Sequence, residues 1–148
     1  MDTCEAHDPW EFCGAPKPPK KRRDKIMSIT TGIQRCKKTN PIHSVLEDVS
    51  WKNRYFDMWV TEYLYLYPQY APVVLRADGE SSFFVISETL ITRMAQDLLN
   101  ENFCVCKASE WFVDDSDYAY AKEYGKVFLE LCHNMTPDEI LVYYDCGH

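Results

Sequence analysis

Glycine is scarce in this chain, with five in 148 residues, and no two of them stand close enough to build a loop that cradles phosphate. Walker loops, dinucleotide fingerprints, nucleophile elbows and HExxH helices are absent as well. An enzyme dependent on a nucleoside triphosphate or a dinucleotide is therefore not expected. No apolar run approaches the roughly 18 to 20 residues that span a bilayer, and the N-terminus carries no apolar stretch of signal-peptide length. The expectation is a soluble intracellular protein with no membrane partner. Cysteine is present without a pattern: seven, an odd number at irregular spacings, suit free thiols in a reducing compartment better than a disulfide framework. No internal repeat is found.

What the chain does have is apolar mass. Apolar residues make up 46%, including ten Tyr, seven Phe and four Trp, enough to bury a core against the entropy of ordering the backbone. Charge divides the chain in two. Residues 1–40 hold nine Lys/Arg and five Asp/Glu, a net of +4, whereas residues 41–148 hold seven and eighteen, a net of −11. An acidic body repels phosphate backbones, so any contact with nucleic acid has to come from the N-terminal part and is expected to be weak.

The predicted organisation is a flexible basic arm over 1–40 and one acidic, aromatic-rich α+β domain over 41–148, with two or three helices packed on a small, mostly antiparallel sheet. Residues 1–26 lack periodicity, and residues 27–40 are either a short strand or an extended lead-in, with a turn at Cys36-Lys37-Lys38-Thr39-Asn40-Pro41. From Ser44 the pattern turns helical, with Trp51, Tyr55, Trp59 and Tyr63 four residues apart, and Pro68 ends that helix. Residues 72–87 read as a hairpin around Ala77-Asp78-Gly79-Glu80. Ser87 caps a helix carrying Leu90, Ile91, Met94, Ala95, Leu98 and Leu99 on one stripe. Two short β-type runs follow, NFCVC and EWFV, and the acids of DDSD cap a last long helix. Residues 139–145 have the composition of a strand after a capping-box lead at Thr136, and the strand reading is preferred to a helix.

Three groups of residues are candidates for function. In PKPPKKRRDK, residues 16–25, the prolines keep the chain extended and Lys17, Lys20, Lys21, Arg22, Arg23 and Lys25 supply charge. This is the form of a nuclear-localisation segment held by an import receptor. The alternative is a solvated charged tail. The aromatic series Trp51, Tyr55, Trp59, Tyr63, Tyr65, Tyr67 and Tyr70 puts rings on more than one face, which a protein partner or a second copy of the chain would cover, making a homodimer the other outcome. Cys104, Cys106, Cys132 and His133 are donors that Zn²⁺ accepts, but without the tight knuckle of a structural site, and core cysteines are the plainer reading.

The function expected from these features is a non-enzymatic regulatory or adaptor protein of the nucleus, or of nucleus and cytoplasm, in the manner of a small viral or host-regulatory accessory protein. It would bind a protein partner through its acidic domain, with no cofactor. The alternatives are a zinc-stabilised nucleic-acid-binding module on those four ligands, and a small hydrolase or nuclease pairing His133 with the Asp114, Asp115 and Asp117 cluster.

Overall fold

In a computed structural model of the chain, residues 29–147 are described. The first strand, β1 (Ile29–Lys37), begins well before the boundary expected near residue 40, so these residues belong to the sheet rather than to an arm. The β-branched residues Thr30, Thr31 and Ile33 suit that strand, and Thr31 Oγ1 donates to the Trp51 carbonyl at 3.2 Å on the neighbouring one. The basic block at 16–25 lies outside the described residues.

A turn at Asn40, in the left-handed region at φ 55°, and a 3₁₀ turn Pro41–His43 lead into β2 (Val45–Trp51), antiparallel to β1. The helix expected from Ser44 starts later, as α1 (Arg54–Leu64). The reason is local. Val49 and Trp51 are buried on either side of exposed Ser50, a period of two, and Asn53 then caps the helix by accepting from the backbone N–H groups of Tyr55 and Phe56 at 2.9 and 3.0 Å. The four-residue spacing of Trp51 and Tyr55 spans a strand–helix junction.

The hairpin forms as the sequence predicts, from β3 (Val73–Ala77) and β4 (Ser81–Ile86). Gly79 sits at φ 91°, where a Cβ is disfavoured, and Asp78 Oδ1 accepts from the backbone N–H groups of Glu80 and Ser81. The helix capped by Ser87 is α2 (Glu88–Leu99). NFCVC and EWFV are not strands. They form 3₁₀ turns, Phe103–Val105 and Lys107–Trp111, because α1 satisfies their backbone: Trp59 Nε1 donates to the Phe103 carbonyl at 2.9 Å, and the Glu62 carboxylate accepts from Lys107 and Ala108 N–H.

Asp114 and Asp117 form a reciprocal capping box at the start of α3 (Asp115–His133). The chain ends its described part in β5 (Glu139–Gly147), which is a strand as preferred and fills the centre of a five-stranded antiparallel sheet of order β2-β1-β5-β4-β3. The fold is thus α+β, three α-helices on one antiparallel sheet. Helices α2 and α3 approach closely at Gly125, where a Cβ would lie 3.0 Å from Leu99 Cγ and 3.1 Å from the Ala95 carbonyl. Between helices and sheet, Trp51 makes edge contacts with Phe56 and Phe128 at 5.6 and 5.7 Å, each worth about 0.5–1.5 kcal/mol beyond the area it buries.

Candidate interaction surface

The aromatic series divides when it meets the fold. Trp51, Trp59 and Tyr63 are core residues at 2%, 0% and 0% exposure, so they are removed from the expected partner-binding set. Helix α1 turns Phe56, Trp59, Val60, Tyr63 and Leu64 inward at helical period, and that stripe consumes two of the four-spaced aromatics. Tyr55 is half-buried against the core. What remains outside is the end of α1 and the connection to β3. Tyr65 is exposed, while Tyr67 and Tyr70 are half-buried, edge-on to each other at 6.4 Å. The Arg93 guanidinium lies 4.6 Å from the centre of the Tyr67 ring, a cation–π contact that pins the segment to α2.

This connection delivers the chain to β3, which is the outermost strand and pairs only with β4 among the described residues. Consecutive strand residues point to opposite faces, yet Val73 and Val74 are 64% and 60% exposed. Among the described residues the strand therefore exposes apolar side chains on both faces and has no partner along one edge. Arg76 on the same strand stacks over Phe83 at 5.8 Å and pairs with Asp78 at 3.1 Å. Hydrogen bonds from the Ser81 backbone, from Arg76 and from the Glu80 backbone hold the Asp78 carboxyl below its usual range. The spread of exposed apolar residues in this part of the chain, Tyr65, Val73 and Val74, was missed in part by sequence reasoning. The signal was present as PVV beside a hairpin, two adjacent valines that one face cannot bury.

The cysteine and histidine candidates are not brought together. Cys104 is exposed, Cys106 donates to the Trp59 carbonyl at 3.8 Å, and Cys132 donates to the Glu88 carbonyl at 3.8 Å, which puts the two buried thiols against different helices. Burial pushes the Cys106 thiol up to about 12, that of Cys36 up to about 11, and raises that of Cys132. A thiol held protonated is a poor nucleophile. Among the described residues no group of three or more His, Cys, Asp and Glu could hold a metal ion, so the alternative zinc site of Cys104, Cys106, Cys132 and His133 does not assemble there. His133 and the Asp114–Asp117 cluster stand at opposite ends of α3, about 24 Å apart along its axis, which removes that pairing. Among the described residues no helix is long and apolar enough to cross a membrane.

One polar cluster went unpredicted. Asp57 Oδ1 accepts from Trp51 Nε1 at 2.9 Å and from the Tyr143 hydroxyl at 3.1 Å, and Thr61 Oγ1 lies 3.4 Å from that hydroxyl. Desolvation raises the pKa of Asp57, Tyr143 and nearby Asp145. With no thiol, amine or imidazole among these partners, the cluster anchors α1 to the sheet.

Compared with known proteins, the chain matches no family model, no curated protein and no solved structure.

Proposed function

We propose that this chain is a non-enzymatic regulatory or adaptor protein of the nucleus, whose acidic domain docks a protein partner. The partner supplies an extended segment that adds to the sheet at β3, the β-augmentation mode in which main-chain hydrogen bonds give affinity and side-chain contacts give choice. One observation carries this reading: Val73 and Val74 are exposed together on the outer strand, whereas soluble proteins usually blunt such an edge. Tyr65 would extend the contact, since Tyr is enriched at interface hot spots. Nuclear entry is assigned to Lys17, Lys20, Lys21, Arg22, Arg23 and Lys25, bound by an import receptor, with weak contact to nucleic acid through the same charges.

Affinity capture with the natural chain and with Val74→Lys tests the docking. A protein captured by the first, lost with the second and retained by a Val113→Lys control supports the reading; capture indifferent to Val74→Lys overturns it. Alanine at Lys20, Lys21, Arg22 and Arg23 should abolish nuclear accumulation at an unchanged melting temperature. Unaltered localisation would refute the import role.

A further inference from the structure

The two edges of the sheet are not alike. At one edge β2 carries the acids Glu47 and Asp48, and α3 lies against it: the Tyr124 hydroxyl donates to the Ser50 carbonyl at 2.8 Å, and Asn134 Nδ2, just past the helix, donates to Glu47 at 3.2 Å. Acidic side chains and a covering helix are how an edge is kept from pairing. At the other edge β3 reads Val73-Val74-Leu75-Arg76-Ala77, with one charge and, among the described residues, no element along its outer side.

The hairpin fixes which backbone groups of β3 look outward. Asp78 N–H donates to the Ser81 carbonyl at 3.1 Å, so Ser81 turns its backbone groups toward β3, and with a period of two so do Phe83 and Val85. Their partners Arg76 and Val73 are thereby bonded inward. Val74 lies opposite Phe84, out of step with them, and its N–H and C=O point away from the sheet. A donor and an acceptor on one exposed residue are self-complementary. A two-fold axis beside Val74 lets each copy's N–H donate to the other's C=O.

Strand order decides between the possible pairings. Five strands, each antiparallel to the next, leave β2 and β3 running in the same direction. Joining β3 to the β2 of another copy, with the helices on one side, would need a parallel pair and would leave open ends. Joining β3 to β3 about a two-fold axis continues the antiparallel pattern and closes. Charge agrees with the second arrangement. With Val74 opposite its own copy, Val73 faces the second copy's Leu75 and Arg76 faces its Pro72, so the two Arg76 residues stand about 10–13 Å apart along the pair. Pairing β2 with β2 would instead bring Glu47 and Asp48 toward their own copies.

We propose that in the free protein β3 pairs antiparallel with β3 of a second copy, Val74 opposite Val74, so that two sheets join into one. Val73 and Val74, exposed at 64% and 60%, are then covered on both faces by the same strand of the other copy. Few residues take part, which puts the dimer in the small, transient class of interfaces. Its regulatory consequence rests on the docking reading above: a partner segment and a second copy need the same backbone groups of Val74, so dimerisation closes the edge until a partner displaces it. The pairing itself does not depend on that reading.

Sedimentation of the full chain, from micromolar to submillimolar concentration, is the first test. The natural chain should approach twice the mass of one chain, Val74→Lys should stay at the mass of one, and Leu46→Lys on the β2 edge should dimerise like the natural chain. A natural chain that is monomeric throughout, or a dimer broken by Leu46→Lys and not by Val74→Lys, overturns the proposal. Oxidation of cysteine variants in a Cys104→Ser background is the second test. Residues that exchange both hydrogen bonds across an antiparallel pair have Cα atoms about 5.5 Å apart, within disulfide range. Val74→Cys should therefore close on its own copy, whereas Val73→Cys, facing Leu75, should not. No covalent dimer from Val74→Cys, or equal yields from both, rejects the pairing. The affinity capture described above keeps the two readings apart: a monomeric natural chain with capture lost in Val74→Lys rejects the dimer and leaves docking, and a dimer with capture indifferent to Val74→Lys does the reverse.

Discussion

The indole of Trp51, the last residue of β2, donates to the carboxyl of Asp57 in the first turn of α1 at 2.9 Å, and the Tyr143 hydroxyl of β5 donates to the same oxygen at 3.1 Å. One carboxyl oxygen thus ties the helix to two strands across the helix–sheet interface. Burial opposes its charge more strongly than the two donors favour it, so its pKa is raised.

The first prediction follows from that balance. Asp57→Ala takes the acceptor from two donors on buried residues, Trp51 and Tyr143, and should cost about 1–3 kcal/mol in urea unfolding. Asp57→Asn keeps an oxygen there and discards the charge, so it should come within about 0.5 kcal/mol of the natural protein at pH 7 or exceed it. Because the folded protein prefers the neutral carboxyl, the stability Asp57 contributes is present below its ordinary pKa and is lost as pH rises through the folded value. The Asn variant should therefore gain on the natural protein between pH 4 and pH 7, and a constant difference would count against this account.

Glu139 should behave in the opposite sense. Its carboxylate accepts from Arg35 Nη1 at 2.8 Å, and the Arg35 bond holds its pKa down. The stability it contributes is present above its ordinary pKa and is lost as pH falls through the lowered one. Glu139→Gln should lower the melting temperature at pH 7 and flatten its acid-side fall below about pH 4.5. Melting curves at pH 3, 5 and 7 decide it, and parallel curves for the two proteins would exclude the ion pair as the cause.

Gly32 is a position where one methyl group should be enough to do harm. A β-carbon there would collide with the Val49 carbonyl oxygen and stand 2.7 Å from the Tyr144 hydroxyl and 2.9 Å from Ser50 Cα. Backbone of the neighbouring strand cannot swing aside, so Gly32→Ala should cost about 1–3 kcal/mol or prevent folding. Thermal unfolding of Gly32→Ala beside Gly79→Ala, whose β-carbon meets nothing within 4 Å but whose φ is positive, separates crowding from backbone strain.

Much of the architecture was legible because its signals are local. The Asp78-Gly79 turn, the Ser87 cap, the Asp114 capping box and the stripe of α2 each lie within a dozen residues and act through backbone groups close in sequence. Failures came where distant partners decide. Residues 103–111 have strand composition, yet Trp59 and Glu62, more than forty positions away, take their backbone groups. Trp51 fits a helical spacing, yet pairing with Thr31 keeps it in a strand. The split of the aromatic series was equally hidden, because periodicity gives the face of a residue relative to its helix and not the layer that covers it. The cysteines divide: of the three read as core thiols, Cys106 and Cys132 are buried, whereas Cys104 is exposed on a 3₁₀ turn whose strand-like composition concealed it.

Trp59 and Tyr65 put that split to the test. Both belong to one aromatic run, and sequence alone makes them equal candidates for a partner. Trp59 is fully buried, and its indole N–H serves the Phe103 carbonyl, so Trp59→Ala should cost about 3–5 kcal/mol in unfolding free energy. Tyr65 is 54% exposed beyond the last turn of α1, and Tyr65→Ala should stay within about 0.5 kcal/mol. Chemical unfolding of the two variants separates these outcomes. A large loss from Tyr65→Ala would make the α1–β3 connection part of the core and leave β3 alone as the docking edge, whereas a small loss leaves an aromatic side chain at the surface beside that edge, where binding can select it.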